Sequence, residues 1–338
     1  VVIALILVIG KQGGGDASNG TRSLKVGIAP YQDMALLMNS DRENIEKKYD
    51  LKPVYTTLAW EDLTPAVGSA GESVELAFAN LTEFVTNERN INKNTSDPLV
   101  FIYPAYIFLG GSFVSLNPKM PVITKADLEN PTKLKEFLKY KFAAEPKSQF
   151  EQMLFVVAQK AGVDFKDVKV THMGTADGLL AAMNGSIDAT AAGLTQRNEA
   201  LEKGGRVVLD SVDVNSYTIA GFVAKKSVLD TKGDEIEDFM RVWYDSIKYV
   251  LADVDNRAEE PIKYLDQTSS TKYTVESFKK AIAQEVFPQS ITEVNEMILN
   301  TLSKYDYAAF RDSLIAFELE NKIITEAPQN IMMQDIKP

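Results

Sequence analysis

One stretch of the chain, residues 142–211, constrains the fold more than any other. Short apolar segments such as FAAE, DVKVTH, DATAAG and RVVLDS alternate there with amphipathic segments such as QFEQMLFVVAQKAG. This alternation predicts strands and helices in turn, which build a parallel sheet whose ligand-facing loops lie at the carboxyl ends of the strands. Those loops contain no set of catalytic side chains. The stretch therefore indicates a protein that binds a molecule rather than one that converts it.

Length and charge limit the possible classes of protein. The chain has 338 residues, and soluble domains usually contain about 100–150 residues, so two lobes are expected. The formal net charge is −11 at pH 7. Binding to nucleic acid requires clustered Lys and Arg side chains, so this acidic balance disfavours nucleic acid as a partner.

Cysteine and histidine are almost absent from the chain. There is no cysteine, which excludes disulfides, thiolate nucleophiles, iron–sulfur clusters and cysteine-based zinc sites. The one histidine, His172, ends a predicted strand, and we interpret it as an ordinary strand-end residue. We therefore predict no metal site, no cofactor and no catalytic residues.

The N-terminal residues differ in character from the rest of the chain. Residues 1–10, VVIALILVIG, are continuously apolar, and residues 11–23 form a linker rich in Gly, Ser and Asn. Ten apolar residues are too few to cross a bilayer, which takes about 20. We interpret residues 1–23 as a membrane anchor or signal remnant followed by a linker, and we expect a periplasmic or extracytoplasmic, membrane-tethered protein. A buried core strand is the alternative interpretation of the apolar run.

The folded body is predicted to begin at Leu24. Its first strands are LKVGIAP, LKPVYTTLAW ending at Trp60, and VELAFAN. A long apolar pair of strands follows, with a bend at Gly110–Gly111. From Asp234 onward the apolar residues recur with the period of a helix, which predicts a helical C-terminal region.

The order and spacing of several segments resemble a known family. The segments are LKVGIAPYQDMALL, VELAFANLTEFV, VITKADLEN, AGVDFKDVKV and ADGLLAAMNGSIDATAAG. From Leu24 to about Leu265 the chain resembles the type II periplasmic substrate-binding proteins of ABC transporters, in the nitrate/sulfonate/taurine/thiamine-precursor branch. The resemblance implies an α/β fold of two lobes joined by two crossover strands, with a helical C-terminal region.

The resemblance also implies domain boundaries. Lobe 1 would contain residues 24–111 and 221–338, and lobe 2 would contain residues 112–220. A ligand would lie in the cleft between the lobes, which would close over it at hinges near Gly110–Gly111 and Ala220–Gly221.

The candidate ligand-binding residues follow predicted strands and open predicted helices, where free backbone amides attract anionic groups. They are Tyr31, Gln32, Trp60, Asn80, Thr82, Ser148, Gln149, Thr175, Thr195, Arg197 and Tyr217. Arg197 has the geometry to pair bidentately with a carboxylate, sulfonate or phosphate. Structural roles are the alternative: helix capping for Asn80, Thr82 and Ser148, core packing for Trp60, and a solvent-facing side chain for Arg197.

Two loops depart from the family pattern. Residues 146–150, PKSQF, replace the small Gly-Ser/Thr turn that grips an anion, and residues 193–197, GLTQR, lack the usual Trp and acidic residue. These departures leave open a bulky, partly aromatic ligand, a small acid, or no ligand.

The resemblance implies an extracytoplasmic solute-binding protein that captures a small organic or anionic ligand for an ABC importer, with an ABC permease as its partner. The alternative is a membrane-tethered accessory subunit that reuses the binding-protein fold for contact with a larger membrane complex. The resemblance also implies what an enzyme of this kind would need: the related thiamine-pyrimidine synthases require a Cys-rich motif, and a related deaminase-type scaffold binds its cofactor through Cys. Because this chain has none, we predict that it is not an enzyme.

Overall fold

The computed structural model describes residues 22–69, 73–214, 216–269 and 272–331. The predicted anchor or signal remnant, at residues 1–10, and nearly all of the linker lie outside these described residues. Within them, every helix is too short or too polar to cross a lipid bilayer.

Strands and helices alternate through the first two thirds of the chain, and helices dominate the last third. The strands are β1 (Arg22–Ile28), β2 (Leu51–Thr57), β3 (Leu76–Asn80), β4 (Leu99–Phe108), β5 (Ser112–Ser115), β6 (Lys141–Ala144), β7 (Lys169–His172), β8 (Ala189–Ala192), β9 (Arg206–Asp210), β10 (Thr218–Lys225) and β11 (Glu285–Val286). The α-helices are α1 (Ile45–Lys48), α2 (Trp60–Gly68), α3 (Leu81–Ile91), α4 (Pro131–Phe137), α5 (Gln149–Ala161), α6 (Thr175–Met183), α7 (Leu194–Glu202), α8 (Lys226–Thr231), α9 (Gly233–Ala252), α10 (Val254–Arg257), α11 (Glu259–Thr268), α12 (Val275–Ile282), α13 (Ile291–Val294) and α14 (Tyr307–Glu320). The shorter helical segments are 3₁₀ at Met34–Asn39, Lys125–Glu129 and Phe165–Asp167, and π at Asn295–Leu299.

The described residues divide into two compact units. Unit 1 comprises 22–106 and 219–331, and unit 2 comprises Ile107–Thr218. These limits lie within a few residues of the lobe boundaries predicted from the resemblance. The hinges predicted at Gly110–Gly111 and Ala220–Gly221 stay predictions.

Unit 1 contains a six-stranded sheet in the order β11-β4-β10-β3-β1-β2. β1 pairs in parallel with both β2 and β3, whereas β10 runs antiparallel to β3. Because β1, β2 and β3 are parallel, their carboxyl ends lie at the same edge of the sheet. The loops that follow these three strands therefore share that edge.

The core of unit 1 forms around Trp243 of α9. Phe78 of β3 lies opposite Phe222 of β10, and both rings contact Trp243, with centroid distances of 4.9 and 6.5 Å. The Trp243 indole also donates a hydrogen bond to the Ala105 carbonyl oxygen at 3.3 Å. This contact satisfies the one polar atom of the largest side chain in the core. The apolar face of α9 thus packs on the sheet through the aromatic cluster of Trp243, Phe78 and Phe222.

Unit 2 contains a five-stranded sheet in the order β7-β6-β8-β5-β9. β6 is parallel to β7 and β8, and the alternation predicted for residues 142–211 is observed as β6-α5-β7-α6-β8-α7-β9. Because β5 runs antiparallel to both β8 and β9, β9 points in the same direction as β8, and the four strands of the alternation run parallel to one another as predicted. β5 precedes the alternation in the chain and lies between β8 and β9 as an antiparallel strand.

The segments that follow β1 and β2 are helical. After β1, the chain forms the 3₁₀ segment Met34–Asn39 and then the short helix α1. The prediction that Trp60 ends the second strand is wrong. β2 ends at Thr57, Ala59 has extended backbone at the N-cap position, and Trp60 is the first residue of α2.

Candidate functional site

The carboxyl edge of the unit 1 sheet carries the predicted candidates from the first part of the chain. Tyr31 and Gln32 follow β1, Trp60 follows β2, and Asn80 ends β3. Parallel strands place these positions at one edge, which is where open α/β sheets bind ligands. The structure thus brings the unit 1 candidates to a shared edge, as their positions in the sequence predict.

Four polar side chains near this edge form a connected network, which we call the buried acidic cluster: Gln32, Asp33, Tyr106 and Glu285. The Tyr106 hydroxyl donates to Oδ2 of Asp33, while Oδ1 of Asp33 accepts the amide of Met34 at 2.7 Å. Nε2 of Gln32 donates to Oε1 of Glu285 at 2.6 Å. Asp33 and Glu285 are only 4% and 8% exposed.

One atom of the buried acidic cluster is unsatisfied. Oε2 of Glu285 has no hydrogen-bond partner among the residues that the structure describes. Buried side-chain oxygens are normally hydrogen-bonded, and a buried carboxylate oxygen without a donor is destabilising. Within the described residues, Glu285 therefore either keeps a proton or lacks a donor for this oxygen.

Burial controls the ionisation of the cluster. It raises the pKa of Asp33 to about 6, against the opposing hydrogen bonds from Tyr106 and the Met34 amide. Burial first, and then the neighbouring charge of Asp33, raise the pKa of Glu285 well above its ordinary value. The pKa of the Tyr106 hydroxyl is also raised well above its ordinary value, mainly by burial, so at neutral pH this hydroxyl acts as a donor. Two adjacent carboxyls in such a site do not both ionise readily.

An aromatic pair lies at the same edge. The rings of Tyr31 and Trp60 are 6.1 Å apart between centroids and tilted by 48°. Tyr31 is 42% exposed, Trp60 is half-buried, and the Trp60 indole donates to Oε2 of Glu83 at 2.9 Å. The Tyr264 hydroxyl lies 3.4 Å from the Ala29 carbonyl oxygen. The edge thus combines aromatic faces with carboxylate oxygens.

Asn80 and Thr82 are both buried at the start of α3. Oδ1 of Asn80 accepts the amide of Thr82 at 2.8 Å, which makes Asn80 the N-cap of the helix. Oγ1 of Thr82 is buried and has no hydrogen-bond partner among the described residues. The Thr82 hydroxyl, at the start of α3, is therefore a buried polar group without a partner in the described part of the chain.

In unit 2, three candidates follow parallel neighbouring strands. Ser148 follows β6, Thr175 follows β7, and Thr195 follows β8, so all three lie at one edge of this sheet. Thr175 and Thr195 are half-buried residues in the first turns of α6 and α7. Tyr217, just before β10, is also half-buried.

Ser148 and Gln149 are engaged within unit 2. Oγ of Ser148 accepts the Glu151 amide at 3.4 Å and donates to the Glu145 carbonyl oxygen at 2.6 Å. Nε2 of Gln149 donates to the Ser216 carbonyl oxygen at 2.8 Å, and the Thr218 hydroxyl donates to Oε1 of Gln149. These contacts favour the capping interpretation for Ser148 and a structural role for Gln149.

Arg197 is neither free nor solvent-facing. Its Nη1 lies 3.2 Å from Oδ2 of Asp210, and both side chains are about one-fifth exposed. Burial raises the pKa of Asp210, while the Val212 amide and Arg197 oppose that shift. The guanidinium predicted for a ligand anion thus forms an ion pair within unit 2, and its role toward a ligand stays a prediction.

Three members of the buried acidic cluster are absent from the candidate residues predicted from the sequence. Asp33 directly follows the candidate Gln32, Tyr106 lies in the long apolar segment that forms β4, and Glu285 lies in the short segment AQEVFP between predicted helices. An acidic residue inside a short apolar segment was the available signal for Glu285. Nothing comparable distinguishes Tyr106 from a core residue. Among the described residues, no group of three or more His, Asp or Glu side chains is placed to hold a metal ion.

The raised pKa values predict how stability depends on pH. An unfolded chain loses protons from Asp33 and Glu285 near pH 4, whereas the native carboxyls retain them to higher pH, so native stability falls as pH rises through this window. Glu285→Gln keeps the shape and removes the charge. We expect the variant to become progressively more stable than the wild type as the pH rises from 4 to 8, measured by urea unfolding.

The groups that face Glu285 are the carboxyl of Asp33 and the amide of Gln32, and Tyr106 is linked to it through Asp33. Glu202→Gln, at an exposed position of α7, is the matched control and should follow the wild-type pH curve. If the free energy of unfolding changed with pH in the same way for Glu285→Gln and the wild type, the prediction would be contradicted.

Comparison with known proteins places this geometry in a class. The chain resembles the periplasmic aliphatic sulphonate binding protein SsuA from Escherichia coli, with a TM-score of 0.64 at 16% identity, covering 94% of this chain and 96% of that chain. It also resembles the alkanesulfonate-binding protein SsuA from Xanthomonas axonopodis pv. citri bound to MOPS, with a TM-score of 0.61 at 14% identity and coverage of 93% and 97%. The periplasmic nitrate-binding protein NrtA from Synechocystis PCC 6803 matches with a TM-score of 0.55 at 13% identity, covering 78% of this chain and 70% of that chain. The predicted α/β fold of periplasmic binding proteins is thereby confirmed.

A match to a family model covers a shorter part of the chain than the structural similarities do. Residues 118–256 match the family model described as NMT1/THI5 like. No curated protein sequence matches the chain. Together with the fold, the family match confirms the predicted resemblance to the nitrate/sulfonate/thiamine-precursor branch of type II substrate-binding proteins.

Proposed function

We propose that this chain is an extracytoplasmic solute-binding protein that captures a small organic or anionic ligand and delivers it to an ABC importer. The observation that carries the proposal is the fold shared over 94% of this chain and 96% of a periplasmic sulphonate-binding protein. Because a fold alone does not define a function, the side chains of the candidate site must provide the further support for ligand binding. The chain binds its ligand without chemical conversion.

The edge of the unit 1 sheet supports this proposal. Ligand sites in proteins of this size are lined mainly by apolar and aromatic groups, with a few placed polar atoms. Tyr31 and Trp60 provide aromatic surface, and the Thr82 hydroxyl and Oε2 of Glu285 are buried polar atoms without partners in the described residues. In unit 2, the proposed ligand contacts are the half-buried candidates Thr175, Thr195 and Tyr217.

The expected partner is the permease of an ABC importer, and the expected location is periplasmic or extracytoplasmic. Tethering through the apolar residues 1–10 belongs to the same proposal. The alternative considered from the sequence, an accessory subunit of a membrane complex, depends on those residues and on an unused ligand site. The unpartnered polar atoms at the unit 1 edge favour the binding protein.

A ligand screen tests the proposal. The purified protein is heated with sulfonates, pyrimidines, aromatic acids, organic amines and nitrate, each in excess. A ligand present at 100 times its dissociation constant adds about 2.7 kcal/mol to the free energy of unfolding, so we expect a rise in Tm of several degrees for at least one class. Trp60→Ala should reduce that rise, and Trp60→Phe should restore part of it.

Extraction of the protein purified from its own cells provides a second measurement. Mass spectrometry of the extract should identify a small molecule present in near-equimolar amount. If the screen and the extract both yield nothing, the proposed function is wrong, and the accessory-subunit alternative gains support.

A further inference from the structure

We propose that the ligand bound at the carboxyl edge of the unit 1 sheet carries a positively charged nitrogen, an ammonium or amidinium group, which Glu285 and Asp33 of the buried acidic cluster recognise. This inference rests on the proposed function and specifies the class of its ligand. It is carried by two adjacent buried carboxyls that form no ion pair among the described residues, and by one carboxyl oxygen that has no donor there.

The two carboxyls receive only neutral donors. Asp33 accepts from the Met34 amide and the Tyr106 hydroxyl, and Glu285 accepts from the Gln32 amide. No Lys or Arg side chain is among the groups whose charges act on either carboxyl. Neither residue takes part in an ion pair within the described part of unit 1. Buried carboxylates are normally paired with a cation, so this arrangement lacks its counter-charge.

The free acceptor of the cluster is a single atom. Both oxygens of Asp33 and Oε1 of Glu285 are occupied, which leaves Oε2 of Glu285, in a side chain that is only 8% exposed. An N–H group on a cationic ligand would donate to this oxygen and take the place of the proton that burial otherwise holds on Glu285, which is released to solvent. Such charge-assisted hydrogen bonds are shorter and stronger than neutral ones.

The surrounding side chains suit a cation as well. The Tyr106 ring lies 5.6 Å from the Phe287 ring between centroids, and the pair Tyr31 and Trp60 lies at the same sheet edge. Aromatic faces attract ammonium, guanidinium and amidinium groups through the ring quadrupole. An anion would meet two carboxyls at this edge instead, with no guanidinium or ammonium beside them to offset the repulsion.

This class differs from the ligands of the solved relatives, which are named as sulfonate- and nitrate-binding proteins. Arg197 was the candidate named for an anion in the sequence, and its guanidinium is paired with Asp210. The buried polar atoms without a hydrogen-bond partner at the described unit 1 edge are Oε2 of Glu285 and the Thr82 hydroxyl oxygen. They therefore favour a ligand that donates hydrogen bonds.

Three probes of similar shape and different charge test the inference. The full chain is titrated by calorimetry at pH 7.5 with benzamidine, which is cationic, with neutral benzamide, and with anionic benzenesulfonate. We expect benzamidine to bind at least tenfold more tightly than either of the others. Glu285→Gln should weaken benzamidine binding at least tenfold and leave benzamide binding unchanged. Glu276→Gln, an exposed position on α12, is the matched control and should bind benzamidine like the wild type.

A second variant keeps the test decisive if Glu285→Gln fails to fold. Asp33→Asn keeps an N-cap side chain while removing the other carboxyl, and it should also weaken benzamidine binding relative to benzamide. Absence of benzamidine binding, tighter binding of benzenesulfonate, or equal benzamidine affinity in the wild type and both variants would each overturn the inference. If nitrate or a sulfonate raises the Tm in the ligand screen while benzamidine does not bind, the solute-binding function stands and only the cationic class is lost.

Discussion

Trp243→Ala is expected to lower the free energy of unfolding by about 3–5 kcal/mol, because it removes the side chain on which the unit 1 core is assembled. Trp243 is fully buried and contacts the rings of Phe78, Phe222 and Tyr106. Truncation leaves a cavity among aromatic rings that are held by the sheet. It also leaves the Ala105 carbonyl oxygen without the indole donor. Urea denaturation followed by circular dichroism measures the loss.

Trp243→Phe provides the graded control for this prediction. It retains most of the apolar area and loses only the indole donor and part of the volume, so we expect about half the loss or less. Trp60→Ala, at a half-buried position outside this core, should have a smaller effect on stability than Trp243→Ala. A loss below about 1 kcal/mol for Trp243→Ala would show that the aromatic cluster does not organise unit 1.

Gly221→Ala is expected to lower the free energy of unfolding by about 3 kcal/mol, for the opposite reason. A Cβ atom at position 221 of β10 would lie 2.5 Å from the Tyr103 carbonyl oxygen and would also overlap the Phe101 ring. The backbone of a strand inside a sheet cannot shift far, so the added methyl group would have to push β10 and β4 apart. The change in the midpoint of urea unfolding reports this loss.

Gly68→Ala is the matched control for the glycine prediction. A Cβ there would lie 3.7 Å from Cδ1 of Leu99, an ordinary contact, and position 68 is the last residue of α2. Since alanine is the better helix former, we expect unchanged stability or a gain of up to about 1 kcal/mol. Similar effects for the two glycine substitutions would refute the packing argument for Gly221.

Local patterns predicted the strands and helices of unit 2 well. The amphipathic segment that became α5 ends at Gly162, whose left-handed backbone caps the helix, and such signals are readable over a few residues. The direction of β5 was not readable in this way. It depends on which strands β5 pairs with, and those pairings join residues about 80 to 100 positions apart.

The same distinction between local pattern and long-range contact applies to the candidate site. Positions after strands, such as Gln32, Trp60 and Asn80, were predictable because a ligand edge follows from the order of strands and helices. Their individual roles were not, since capping, packing and ligand contact all favour the same residue types there. The ion pair of Arg197 shows the limit, because its partner Asp210 lies on a different element and only the folded chain brings them together.

By itself, the sequence determined the alternation of strands and helices and the absence of cysteine chemistry, because both follow from local pattern and composition. Only the tertiary structure decided the character of the candidate site. It joined Asp33 to Tyr106 across 73 positions and Gln32 to Glu285 across 253 positions, and it removed the two carboxyls from water. Burial and long-range contact change the pKa and the hydrogen-bonding capacity of a carboxyl, and neither is encoded in the residues next to it along the chain.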